Sequence, residues 1–192
     1  RPPRSTLSSS SAASDVYKRQ VLDIASNDGS LLNFYKKDII TFGIDPILKK
    51  YKKNYKNINY CLPDFFSASK IRDITKEKFK IITALSVFYD AKNPNKFILD
   101  VKKILDKDGI FLLEFADLSS IIKLKMFDTI CHEHCEYYSL TSVKYILDQA
   151  NLKIVDIEFN DINGGSFALS VAKKLNRVRL SAEVTFEDLN QN

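Results

Sequence analysis

The chain has 192 residues, of which 45% are hydrophobic and 28% are charged, and it carries a formal net charge of +5 and three cysteines. This length suits one α/β domain and is too short for two. The cysteines are too few for a disulfide framework, no stretch approaches the roughly eighteen apolar residues of a membrane span, and no secretory signal is visible, so we expect a cytoplasmic protein without a membrane partner.

The N-terminal segment differs in composition from the rest of the chain. Residues 1–20 hold six serines and no periodic apolar pattern, so they cannot bury a core and are expected to be disordered. The stretch at residues 15–20 resembles the translation of a sequencing adapter, which predicts a non-native leader. This leader accounts for +3 of the formal +5, and the remaining +2 gives no reason to expect a nucleic-acid partner.

An apolar run at residues 21–24 predicts a buried first strand that opens into a turn of small and polar residues. A second apolar run at residues 39–44 stops at Asp45, where Pro46 forces the chain out of the sheet. This order of strand, turn, helix, strand and acid is typical of a Rossmann-like nucleoside site, in which the acid bonds both ribose hydroxyls. The candidate cofactor-binding residues of this region are Asp23, Ser26, Asn27, Asp28, Gly29 and Asp45.

The composition of the first turn discriminates between two nucleoside cofactors. A dinucleotide site needs several glycines, because a pyrophosphate must approach bare backbone at the helix N-terminus. Here Ala25 stands where the first glycine would be, and Gly29 is the only glycine of the turn. S-adenosyl-L-methionine has no phosphate and tolerates side chains in the turn. The sequence therefore favours S-adenosyl-L-methionine over NAD, and an ordinary turn that binds no ligand is the alternative.

The next stretch predicts a second contribution to the cofactor site. We predict a basic surface helix at residues 47–56 and a short third strand at residues 58–62. The turn that follows offers the carboxylate of Asp64 and the ring of Phe65 to an adenine base. The alternative is that the phenylalanines of this turn simply belong to the core.

The middle of the chain predicts a further strand, helix and strand. Residues 79–87 form a continuous apolar run that is expected to be the central fourth strand. Asn93 is a predicted N-cap with Pro94 at the first helical position, and Gly109 is the predicted end of that helix. Residues 110–115 then give the fifth strand.

The last part of the chain completes an α/β fold. We expect a short helix or loop at residues 118–126 and a helix at residues 141–150. The strands at residues 152–159 and 166–172 are predicted to form an antiparallel hairpin. Seven strands with helices between the first five predict a Rossmann-like class I methyltransferase fold, with a mostly parallel sheet that ends in this hairpin.

Both histidines of the chain lie in one five-residue stretch, Cys131, His132, Glu133, His134 and Cys135. Imidazole is the natural general base near neutral pH. On an extended backbone, His132 and His134 would share one face and Glu133 would take the other. Zinc is the rival interpretation, but adjacent residues point apart, and zinc-ligand pairs are normally spaced by two or more residues. A structural loop with histidines satisfied by backbone groups is the third possibility.

Several short motifs resemble those of the S-adenosyl-L-methionine-dependent sugar C-methyltransferases, and the resemblance covers residues 21–174. Its most specific part is the His-Glu-His stretch followed by a Gly-Gly-Ser turn. The motifs lie at residues 26–29, 43–46, 64–66, 127–134, 138–140 and 163–166. Members of that family have a zinc domain before the methyltransferase domain and a further α/β domain after it. The resemblance therefore implies a fragment in which residues 175–192 begin a truncated C-terminal segment.

The resemblance also implies a reaction. It implies a small-molecule substrate, a nucleotide-linked 4-keto sugar, that is methylated at the carbon next to the ketone. It makes His134 the base, with Glu133 as a polarising or sugar-binding group and His132 in the same catalytic motif. A tyrosine often precedes this motif in the family, where the present chain has Cys131. The alternatives are an O- or N-methyltransferase of the same fold, and a metal- or nucleotide-binding module without turnover.

Overall fold

The computed structural model describes residues 20–51, 53–55 and 57–176, and within them one seven-stranded sheet runs through the molecule. Residues 1–19 of the predicted leader and residues 177–192 of the predicted C-terminal segment lie outside the described residues, so the expectations for them stay predictions. The predicted leader is one residue too long, because Gln20 is buried at the start of a strand. In chain order the strands are β1 (Gln20–Ile24), β2 (Ile40–Ile44), β3 (Tyr60–Leu62), β4 (Phe79–Leu85), β5 (Leu105–Ala116), β6 (Leu152–Asn160) and β7 (Ser166–Lys173).

The order of the strands across the sheet is β3-β2-β1-β4-β5-β7-β6. The first five strands are parallel to one another, and β7 is antiparallel to both β5 and β6. The predicted architecture, a mostly parallel sheet that ends in an antiparallel hairpin, is confirmed. The chain crosses from β1 to β2 on one side and from β4 to β5 on the other, so a crevice opens where the C-terminal ends of β1 and β4 meet.

Five α-helices connect the described strands, and they cover the faces of the sheet. They are α1 (Ser30–Asn33), α2 (Ala68–Ile74), α3 (Pro94–Ile104), α4 (Leu118–Leu124) and α5 (Leu140–Gln149). Helix α3 begins as predicted, because the Asn93 side chain accepts a hydrogen bond from the Lys96 amide and Pro94 stands at the first turn. Its buried side includes Ile98, Val101 and Ile104. None of the described helices is both long and apolar enough to cross a bilayer.

The core lies on both faces of the sheet and is built largely from the apolar residues of the central strands. All five residues of β1 are buried, as expected for a strand that is covered on both faces. Aromatic rings fill the space between the sheet and the helices. The fully buried phenylalanines are Phe42, Phe79, Phe88, Phe111, Phe115 and Phe167.

Two predicted elements are wrong. The helix expected at residues 47–56 is a single 3-10 turn, Leu48–Tyr51, because the chain turns back so that Tyr55 is buried beneath the first turn. Gly109 does not end α3, since β5 starts at Leu105 directly after the helix. A Cβ on Gly109 would lie 2.7 Å from the Phe79 carbonyl oxygen, so this glycine allows β4 and β5 to approach each other.

Candidate active site

The turn after β1 has an unusual backbone. Ala25, Asn27 and Gly29 all have positive φ angles, of 59°, 47° and 78°. This conformation is unfavourable for alanine and is held only where surrounding contacts impose it. Here the amide of Ala25 donates to the Ile44 carbonyl at 2.9 Å, and the Gly29 amide donates to the Ser26 carbonyl at 2.7 Å. The turn is thus fixed to the end of β2.

Tyr55 supports this turn from below. Its hydroxyl donates to the Asn27 carbonyl at 2.7 Å and lies 2.9 Å from the Ser26 hydroxyl. Burial raises the pKa of Tyr55 to about 12, so the phenol stays protonated and keeps its role as a donor. A Cβ on Gly43 would lie 2.8 Å from the Ser26 hydroxyl oxygen, which shows how closely β2 approaches the turn. The sequence did not single out Tyr55, because 28 residues separate it from Asn27.

Asp45 lies directly after β2 and is hydrogen-bonded to the turn, while its bonds to ribose hydroxyls stay a prediction. Its carboxylate is buried, and its two oxygens accept hydrogen bonds from the Asn27 amide at 3.0 Å and from the Ile47 amide at 2.8 Å. A carboxylate has about four acceptor positions, so two remain for the hydroxyls of a ribose. The backbone bonds fix the orientation of the group before any ligand arrives.

Asp23 lies deeper in the same end of the sheet. It is 5% exposed, and it accepts a short hydrogen bond from the Thr83 hydroxyl on β4. Burial raises the pKa of Asp23 to about 6, the Thr83 bond opposes the rise, and the negative charge of Asp45 adds to it. Asp23 therefore holds a carboxylate that is poorly compensated within the protein.

The other predicted cofactor residues are more exposed. Asp28 accepts hydrogen bonds from the amide and the hydroxyl of Ser30, and these bonds lower the pKa of its carboxyl group. Asp64 forms an ion pair with Lys70 at 2.6 Å. The ring of Phe65 is 73% exposed, and only its neighbour Phe66 packs inward, against Phe97. The adenine contacts of Asp64 and Phe65 stay predictions.

The charges of this end of the sheet fit one of the two cofactors. Asp23, Asp28 and Asp45 provide carboxylates, and the turn at residues 25–29 contains no lysine or arginine. A pyrophosphate would be repelled by these groups. S-adenosyl-L-methionine presents a sulfonium and an ammonium cation, which the carboxylates attract, and two ribose hydroxyls for Asp45.

A cavity of about 420 Å³ lies beyond the ends of β4 and β5. Phe115 and Ala116 of β5, Tyr89 after β4, and residues of the loops at 126–138 and 163–164 line it. The lining includes the carboxylates of Asp128 and Glu136 and no lysine or arginine. It is therefore suited to a neutral, hydroxylated group rather than to a phosphate.

His134 is on the wall of this cavity, and His132 and Glu133 are not. The imidazole of His134 is partly buried, with its ring centroid 4.2 Å from that of Tyr89, whereas both preceding side chains are exposed. The chain bends at residues 132–133, so the backbone is not extended there, and only one of the two histidines lines the cavity. The bend is fixed by the Cys135 and Glu136 amides, which both donate to the Tyr89 carbonyl, at 2.9 and 3.1 Å.

Two aromatic residues of the cavity were missed from the sequence. Tyr89 follows β4 and carries no signal that separates it from a core aromatic residue. Tyr138 belongs to the motif at residues 138–140, but that motif gave it no role. Only their common cavity with His134 identifies them. Within the described residues, no three His, Cys, Asp or Glu side chains group in a way that could hold a metal ion.

The chain is similar to known methyltransferases. A family model described as a methyltransferase domain matches residues 5–157. The chain is 26% identical over 155 residues to the C-methyltransferase NovU of Streptomyces niveus, and this match covers 79% of the chain. It covers 37% of the relative, so the chain spans little more than a third of the length of that protein.

Solved structures share the fold at low identity. One is an S-adenosylmethionine-dependent methyltransferase from Clostridium acetobutylicum, with a TM-score of 0.64, 13% identity, and coverage of 85% of this chain and 88% of that one. Another is the magnesium protoporphyrin IX methyltransferase of Synechocystis with bound SAH, with a TM-score of 0.58, 14% identity, and coverage of 85% and 78%. With a family model matched over most of its length, the chain belongs to the methyltransferase domain family.

Proposed function

We propose that this domain transfers a methyl group from S-adenosyl-L-methionine to a carbon atom next to a ketone in a sugar. The substrate class is a nucleotide-linked 4-keto deoxysugar, and His134 is the general base. The observation that carries the proposal is the position of His134 on the wall of the 420 Å³ cavity. This cavity opens at the same sheet edge as the turn at residues 25–29, so cofactor and substrate can meet at the crevice between β1 and β4.

The residues suggest a sequence of steps. S-adenosyl-L-methionine, when bound, supplies an electrophilic methyl group on a positively charged sulfur. The imidazole of His134 takes the proton from the carbon beside the ketone, and the electron pair of that bond moves toward the ketone oxygen. The carbon then forms its new bond to the methyl group, whose former bonding pair stays on the sulfur. Asp45 holds the ribose and so fixes where the methyl group points.

Two features support a sugar carbon as the acceptor. The relative NovU is named a C-methyltransferase. The cavity lining has two carboxylates and no cationic side chain, which suits a sugar ring with several hydroxyl groups. A diphosphate would be repelled there, so we infer that the nucleotide part of the substrate lies outside this cavity.

The test uses the chain with a nucleotide-linked 4-keto deoxysugar in deuterated solvent. We expect the parent chain to exchange the proton next to the ketone, and His134→Asn to lose this exchange by at least about a hundredfold, which is the usual scale for a general base. Binding of S-adenosyl-L-methionine, measured by calorimetry, should not change in this variant, because His134 lies outside the cofactor turn.

His132→Asn is the matched control, because it removes the exposed imidazole two positions away. It should retain the exchange. Loss of exchange in His132→Asn with retention in His134→Asn would assign the base to the other histidine. Transfer of a labelled methyl group only to oxygen or nitrogen would favour the O- or N-methyltransferase alternative, and binding without any transfer would favour the module without turnover.

A further inference from the structure

The buried side chain of Tyr138 has a hydroxyl group that makes no hydrogen bond to the described residues. The residue is 5% exposed, and its ring is stacked on Phe88 at 4.9 Å and lies edge-on to Phe115 at 5.6 Å. Its hydroxyl has no hydrogen-bond partner among the described residues. Burying a hydroxyl without a partner costs stability, whereas a phenylalanine would fill the same space without this cost.

Tyr138 is on the wall of the cavity that also contains His134. Tyr138 lines this cavity together with Tyr89 and Tyr137. The other two phenols are engaged, since Tyr137 donates to the Thr129 carbonyl at 3.4 Å and Tyr89 has a hydrogen-bonded partner in Ser86. Of these three tyrosines, Tyr138 is therefore the one whose hydroxyl has no hydrogen-bond partner among the described residues.

We propose that Tyr138 is a catalytic residue whose hydroxyl donates a hydrogen bond to the ketone oxygen of the substrate. The proposal rests on the proposed function and adds to it the group that stabilises the oxygen. When His134 removes the neighbouring proton, negative charge develops on this oxygen. A donor that is already in position then strengthens its bond in the transition state, which is how an oxyanion site accelerates a reaction.

The environment of Tyr138 makes it a donor and not a second base. Burial raises the pKa of Tyr138 to about 12, and the neighbouring Glu136 and Cys135 add to the rise. The phenol therefore keeps its proton throughout the neutral range. The two functions are divided between residues that lie in one loop, with proton removal assigned to His134 and oxygen stabilisation to Tyr138.

The decisive variant is Tyr138→Phe, which removes one oxygen atom and preserves the ring packing. We expect kcat for methyl transfer and the rate of solvent exchange to fall together by about a hundredfold or more. The dissociation constant of S-adenosyl-L-methionine should not change, and the melting temperature should stay the same or rise, because no bond within the protein is lost.

Tyr145→Phe is the matched control, because it removes the phenol of an exposed tyrosine on α5 that does not line the cavity. It should keep kcat within about threefold of the parent. Tyr138→Phe with parental kcat would overturn the assignment, and so would a lowered melting temperature of this variant, which would mean that the hydroxyl is bonded inside the protein. A parent chain that neither exchanges the proton nor methylates carbon would instead overturn the proposed function and the Tyr138 assignment together.

Discussion

The buried carboxylate of Asp23 lowers the stability of the folded chain when it is ionised. Its carboxyl pKa is raised from 3.8 to about 6, so the folded chain holds this proton more tightly than the unfolded chain does. The cost of the buried charge is therefore absent below about pH 3.8 and fully present above about pH 6. Across this window the contribution of Asp23 to the free energy of unfolding falls as the pH rises.

We expect Asp23→Asn to stabilise the apo chain above pH 6. Asparagine can still accept the hydrogen bond from Thr83 without carrying charge, and the shift of the pKa corresponds to a gain of up to about 3 kcal/mol at neutral pH. The free energy of unfolding from urea titrations at pH 4 and pH 7.5 measures the gain. The same variant should bind S-adenosyl-L-methionine more weakly, because we propose that the Asp23 carboxylate attracts the positively charged cofactor.

Asp28→Asn is the control for Asp23→Asn, because it removes a nearby, less buried carboxylate whose pKa is lowered rather than raised. It should give no gain in stability. Equal stability of Asp23→Asn and the parent at pH 7.5 would show that the buried carboxylate has little effect on stability.

Individual site residues were predictable where their position along the chain implied their position in space. Asp45 follows a strand and precedes a proline, and the structure places it directly after β2, within hydrogen-bond distance of Asn27 in the first turn. Tyr138 and Tyr89 could not be assigned in this way. Tyr89 meets the ring of His134 across 45 residues of chain, and no local pattern encodes such a contact.

Among the elements, strands and the α3 cap were predicted better than helix ends. Asn93 and Pro94 act within one turn, so their effect can be read from neighbouring residues. Gly109 was misassigned because glycine serves both as a helix terminator and as a site of close approach between strands. Only the position of the Phe79 carbonyl distinguishes the two roles.

Gly109→Ala tests this second role. The added methyl group would lie 2.7 Å from a backbone oxygen that cannot move without disturbing β4. We expect the variant to lose about 1–3 kcal/mol of unfolding free energy, the usual cost of forcing extra atoms into a packed site. Chemical denaturation measures the loss. Lys107→Ala is the control, because it changes an exposed position of the same strand, and it should alter the free energy of unfolding by less than about 0.5 kcal/mol. An equal loss in both variants would argue against a role of Gly109 in the close approach of β4 and β5.

At the scale of the whole molecule, cofactor binding should stabilise the fold through Asp45. A ligand at a hundred times its dissociation constant adds about 2.7 kcal/mol to the free energy of unfolding. Asp45→Ala should weaken S-adenosyl-L-methionine binding by about ten- to a hundredfold, because we propose that this carboxylate accepts charge-assisted hydrogen bonds from the ribose hydroxyls. Most of the ligand-induced rise in melting temperature should disappear with it.

Asp73→Ala is the control for Asp45→Ala, because it removes an exposed carboxylate from α2. It should keep the full ligand-induced rise. A folded Asp45→Ala chain with the parental affinity for S-adenosyl-L-methionine in calorimetry would contradict the role of Asp45.

The two edges of the sheet have a consequence for association between chains. An open edge strand can template the addition of a strand from another molecule. At one edge β3 has only three residues, Tyr60–Leu62, which is too short to anchor such a strand. At the other edge β6 is longer, but its pairing with β7 is irregular between Ile154 and Asp156, and Lys153 and Glu158 add charges along it. Within the described residues, neither edge of this apolar sheet offers a regular template on which aggregation by strand addition could start.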